Sequence, residues 1–71
     1  MVRVTFGEGL IASAGYDVLM MQMEIEFRNL GFACVYYDVS EDVWYGLKFS
    51  RHPDDYFHRN VRGKYREERI I

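Results

Sequence analysis

The stretch ACVYYDVSEDVWYGLKF, residues Ala33–Phe49, alternates apolar and mixed positions on either side of a short acidic segment. Its odd positions are apolar throughout: Ala33, Val35, Tyr37 and Val39, then Val43, Tyr45, Leu47 and Phe49. A period of two marks a half-buried strand, so the stretch predicts an antiparallel hairpin whose odd face looks inward. Opposed residues share a face, and keeping odd against odd needs a loop with an odd number of residues, here Ser40-Glu41-Asp42. Tyr36 then faces Gly46, with Trp44 diagonal to it beside Asp38, and the outer face acquires a pair of exposed aromatic rings.

The flanks extend this reading. In VRVTF (2–6), Val2, Val4 and Phe6 share one face and Arg3 and Thr5 the other, which predicts a first strand. The small residues of GEGLIASAG (7–15) read as a loop, or as a loop leading into the first turns of a helix. The next segment, YDVLMMQMEIEFRNLGF (16–32), satisfies a strand period, yet Met, Leu, Gln and Glu favour helix. Leu19, Met20, Met23, Phe27 and Leu30 also recur at three- and four-residue spacings. Gly31 falls where a left-handed helix stop belongs. A helix is therefore expected over about Asp17–Leu30. Downstream, Pro53 opens a second helix with Asp54 and Asp55 in its first turn, capped by Ser50 or His52, and KYREERII (64–71) reads as a fourth strand in preference to a last helical turn.

The resulting order is β-α-β-β-α-β. It predicts a single small α+β domain of the ferredoxin-like split-sandwich type, with the 33–49 hairpin packed on the first helix and the other sheet face open. The expected core is Val4, Phe6, Met23, Phe27, Val35, Tyr37, Tyr45 and Leu47.

Composition narrows the function classes. A chain of 71 residues buries only about 60% of the surface its unfolded form exposes, so its core is thin. The lone Cys34 excludes an intramolecular disulfide, and MVRVTF lacks the apolar run of a secretion leader, so a cytoplasmic protein complete from Met1 is expected. The net charge of −2 is uneven: residues 1–50 hold three basic and seven acidic side chains, and residues 51–71 hold six and four. A mildly basic end on an acidic body is a weak nucleic-acid signal.

No catalytic set emerges. Glycines 7, 9 and 15 match neither the dinucleotide fingerprint nor the P-loop. His52, Asp54, Asp55 and His58 lack a consistent helical ligand spacing. Cys34 sits on a strand without an activating helix terminus. No cofactor or metal is expected. The functional expectation is a non-enzymatic protein-binding module, an inhibitor or regulator of the kind found among accessory and anti-defence proteins of phages and mobile elements. Tyr36, Trp44, Lys48, Arg3 and Asp38 would form its surface, and a homodimer is one form the partner could take. The alternative is a single-stranded RNA or DNA binder that adds Arg59, Arg62, Lys64 and Arg66 to the aromatic pair.

Overall fold

Seen as a computed structural model that describes residues 1–70, the chain folds into five strands and two helices. These are β1 (Val2–Thr5), β2 (Ile11–Asp17), β3 (Gln22–Phe27), β4 (Ala33–Tyr36), α1 (Glu41–Lys48), α2 (Pro53–Asn60) and β5 (Glu67–Arg69). The strands form one antiparallel sheet in the order β1-β2-β3-β4-β5, and both helices lie on the same side of it. The α+β class and the layering of helices on one sheet face are as the sequence predicts.

Pairing fixes which side chains meet the helices. Val2 opposes Tyr16 and Val4 opposes Ala14; Tyr16 opposes Met23, Ala14 opposes Ile25, and these continue to Tyr36 and Cys34 on β4. Ile11 joins the same face because a bulge between Ile11 and Ser13 shifts the alternation by one residue. α1 lies over β2, with Trp44 stacked on Tyr16 at 5.7 Å, and the Tyr16 hydroxyl donates to the Val39 carbonyl at 2.5 Å. α2 lies over β3 and β4, where Phe57 meets Phe27 and Tyr36 edge-on. The opposite sheet face is polar: Arg3 donates to Ser13 Oγ and pairs with Glu24, and Ser13 donates to Glu26.

Two segments depart from the expectations. The first is 17–30, which is a hairpin and not a helix. Asp17 Oδ1 accepts from the Leu19 and Met20 amides at 3.0 and 3.2 Å, and Met21 takes a positive φ of 52°, so the chain reverses within Val18–Met21. Met23 and Ile25 then face the helices as a period-two pair, both fully buried. The expected loop 7–15 accordingly contains most of β2, a central strand. Its small residues fit close neighbours: Ala14 is fully buried, and a Cβ on Gly15 would lie 2.7 Å from Met1 Sδ. Gly31 does have a positive φ of 73°, but in the β3–β4 turn.

The second departure is the 33–49 hairpin, of which only the first arm is a strand. Ser40 takes extended angles at the N-cap position, Glu41 and Asp42 occupy the first turn of α1, and Lys48 the last, an arrangement matched to the helix dipole. Trp44 and Leu47, three apart, are buried, while Tyr45 is exposed and drops out of the core. On β4 the even residues Cys34 and Tyr36 face the helices, so the inward parity is the reverse of that expected. α2 starts at Pro53 with His52 as N-cap, as anticipated, and buries Phe57. β5 holds the expected last strand; the final residue, Ile71, lies outside the described residues.

Candidate functional site

The sequence-predicted aromatic pair does not form a surface. Tyr36 is 1% exposed and Trp44 3%, because each lies on the inward side of its element. Burial, the Glu67 carboxylate and the nearby Cys34 push the Tyr36 phenol far above its ordinary range, and its hydroxyl donates to Glu67 Oε2 at 3.3 Å. Arg3 is on the polar sheet face, paired with Glu24. Asp38 is exposed at a positive φ of 59° in the β4–α1 connection. Tyr36, Arg3 and Asp38 therefore share no surface, since one is in the core, one on the polar sheet face and one in an exposed connection.

The basic candidates are exposed and scattered over the C-terminal third. Arg59 closes the last turn of α2. Arg62 lies at a small apolar groove of about 210 Å³, Lys64 sits in the following loop, and the Arg66 guanidinium covers the Tyr37 ring at 4.1 Å. The residues considered for metal binding have other engagements: Asp54 Oδ2 accepts from the Leu10 amide at 2.9 Å, and the His58 ring rests against Phe57. Among the described residues no group of three or more His, Cys, Asp or Glu is placed to hold a metal ion. The Cys34 thiol is buried in the sheet, where desolvation first and the Glu67 carboxylate second push its pKa above the ordinary value.

A different surface stands out. Leu19 is 91% exposed and Phe49 72%, and Met1, Val2, Val18, Met20 and Tyr45 are also largely open to solvent. These residues are contiguous. Met1, Val2, Val18, Leu19 and Tyr45 line one shallow groove of about 470 Å³, and Phe49 stacks on Tyr45 with ring centroids 6.2 Å apart. Buried Trp44 supplies part of the groove floor, and Lys48 reaches it while lying over the Phe49 ring at 5.4 Å. Two expected binding residues, Trp44 and Lys48, therefore belong to this site. Asp17 and Glu41 add carboxylates to its wall; with burial as the larger cause, they raise the pKa of the underlying Tyr16.

The apolar tip is held in place by its backbone. Besides the two amides bound by Asp17, the Met21 carbonyl accepts from the Val39 amide at 2.8 Å, tying the turn to the β4–α1 connection. The side chains of Val18, Leu19 and Met20 thus project from a fixed turn. Helical reading of 17–30 hid them, since it assigned Leu19 and Met20 to a buried stripe. The signal available was Asp17 followed by four apolar residues between two period-two segments, a turn too apolar for its position.

No curated protein matches the sequence. Among solved structures, a KTSC domain protein from Yersinia pestis, known from its crystal structure, is similar over 99% of this chain and 97% of its own, with a TM-score of 0.91 and 26% sequence identity. The family model for the KTSC domain matches residues 8–65, from the β1–β2 loop to the segment before β5. The match spans more than half of the chain and takes in β2 through α2, so this protein belongs to the KTSC domain family.

Proposed function

We propose that the chain is a non-enzymatic protein-binding module, a small inhibitor or regulator that engages a larger protein through the Val18–Met21 turn and the outer side of α1. One observation carries the reading: among the described residues the most exposed apolar side chains, Leu19 and Phe49, share one contiguous surface whose turn is fixed by backbone hydrogen bonds. Contiguous apolar patches of this kind mark interaction sites on small soluble domains. A pre-ordered turn also reduces the entropy lost on association. The anatomy fits an interface, with aliphatic and aromatic anchors at the centre and Asp17, Glu41 and Lys48 as a charged rim.

Nucleic-acid binding in the form first expected would need Tyr36 and Trp44 as stacking platforms, and both rings are in the core. A comparative pull-down from the native host tests the protein-binding reading. The bait is the parent chain, a Leu19→Ser/Phe49→Ser variant, and a Leu30→Ser control that removes an exposed leucine from the other end of the sheet. The expected result is a protein retained by parent and control and lost by the double variant. Equal retention by all three, or retention that instead disappears with charge reversal at Arg62 and Lys64 and with added salt, overturns it.

A further inference from the structure

We propose that the outer edge of β1 pairs antiparallel with β1 of a second copy of this chain, on a two-fold axis at Val4, so that two five-stranded sheets join into one of ten strands. The pairing rests on the outward backbone groups of β1 and not on the Val18–Met21 turn's partner, with Val2 the one residue shared by the groove and the seam. β1 is the first strand in the sheet, with β2 on one side and, among the described residues, no strand on the other. Its register with β2 identifies the groups left over. The Phe6 amide donates to the Ala12 carbonyl at 2.9 Å, so Phe6 and Ala12 form a hydrogen-bonded pair. By the alternation of an antiparallel ladder, Val4–Ala14 and Val2–Tyr16 are bonded pairs as well. The N–H and C=O groups of Arg3 and Thr5 therefore point away from β2, toward the open edge.

The two edges of the sheet are unlike. β5 is three residues long and entirely charged, Glu67-Glu68-Arg69, which is how exposed edges are protected from pairing. β1 carries a single charge. Its bearer, Arg3, is drawn onto the polar sheet face by Ser13 and Glu24 and leaves the edge unguarded.

The occupant follows from the strand's own pattern. With the axis at Val4, Arg3 opposes Thr5 of the second copy, and the outward groups of each residue meet those of the other as two hydrogen-bonded pairs. On the helix side, Val2 then opposes Phe6 of the second copy and Val4 opposes its counterpart. Val2, more than half exposed in the single chain, gains an aromatic cross-strand neighbour. The sequence VRVTF is thus self-complementary in both polarity and hydrogen bonding, which is the requirement of an isologous interface. The antiparallel arrangement places the two Val18–Met21 turns at opposite ends of the seam, and Phe6 of the second copy borders the apolar groove only at Val2.

Sedimentation of the intact chain at concentrations up to about 1 mM tests the proposal. The parent should form a dimer of twice 8.5 kDa in a concentration-dependent way. Thr5→Pro deletes an outward N–H and no β1–β2 bond, and should weaken the dimer roughly tenfold or more, with circular dichroism confirming that the monomer folds. Val4→Cys in a Cys34→Ser background should oxidise to a covalent dimer. The two Cα atoms would be about 4.5 Å apart in a non-hydrogen-bonded pair, within disulfide reach. Glu68→Cys on the opposite edge should not oxidise to a dimer. A parent that stays monomeric throughout, or a dimer indifferent to Thr5→Pro that also fails to cross-link through residue 4, overturns the proposal. A monomeric chain that binds a target's strand on this edge, losing it in Thr5→Pro, overturns it too.

Discussion

Replacing Gly46 by alanine should destabilise this protein, although the same change in the middle of an exposed helix usually stabilises by up to about 1 kcal/mol. Gly46 lies inside α1 where α2 crosses it. A methyl group there would overlap the Tyr56 hydroxyl and ring, with Cε2 at 2.6 Å. An ordinary carbon contact is about 3.5 Å or more, so the ring must leave its place. Tyr56 is half-buried against the core, and moving it forfeits on the order of 100 Å² of burial, about 2.5 kcal/mol. Helix propensity offsets part of that, leaving a net loss of about 1–2 kcal/mol. For a domain of this size that lowers Tm by roughly 5–15 °C. Thermal unfolding of Gly46→Ala, Tyr56→Ala and the pair gives the coupling directly: with Tyr56 truncated, the added methyl should be neutral or stabilising. A Gly46→Ala variant that melts above the parent would refute both the contact and the crossing of the helices at this point.

Phe57→Ala removes the ring that joins α2 to Phe27 and Tyr36, and should cost about 3–5 kcal/mol, enough to leave so small a domain largely unfolded in urea titration. Gly31→Ala should cost about 1 kcal/mol in the same assay, because its φ of 73° disfavours a side chain while the space around it is open. Tyr36 sets an alkaline limit. Its folded pKa lies above the unfolded value of 10.0, so the folded state keeps a proton that the unfolded chain loses. Stability is complete below about pH 10 and falls as pH rises beyond it, by up to about 1.4 kcal/mol per pH unit. Tyr36→Phe should reduce that slope, leaving the smaller share of the other raised groups such as Tyr16, at a cost of about 1 kcal/mol or less near neutrality, as read by denaturation at several pH values.

The parts of the fold legible in the sequence are those with a local stereochemical signal. VRVTF alternates without competition, and Pro53 with two following aspartates starts a helix on its own terms. Gly31 needs a positive φ in either reading of its neighbours. The parts that misled carry two periods at once. Met23, Ile25 and Phe27 fit a strand, and Met23, Phe27 and Leu30 fit a helix; intrinsic propensity favours the second. Pairing with β2 and β4 on both sides decides for the strand, since it satisfies the backbone of both neighbours. In 41–49 the alternation of Val43, Tyr45, Leu47 and Phe49 masks the spacing of Trp44 and Leu47. There the decisive signal was Ser40 followed by two acids, a helix start rather than a hairpin loop.

The binding surface was legible only in part. Trp44 and Lys48 belong to it, but the exposure of Leu19 and Phe49 depends on which way α1 and the β2–β3 turn face, and that is set by the parity of distant strands. Once the turn is formed, its burial cannot be rescued locally. Asp17 uses its carboxylate on two amides of the turn, and the three apolar side chains at the tip have nowhere inward to go.

Backbone hydrogen exchange of the chain with and without a partner captured by it is the most direct test of where, and whether, this surface works. New protection is expected at residues 17–21 and 41–49, abolished together with binding in Leu19→Ser/Phe49→Ser, while Tyr36 and its neighbours exchange as before. Protection confined to residues 59–70, with the turn unchanged, would contradict it.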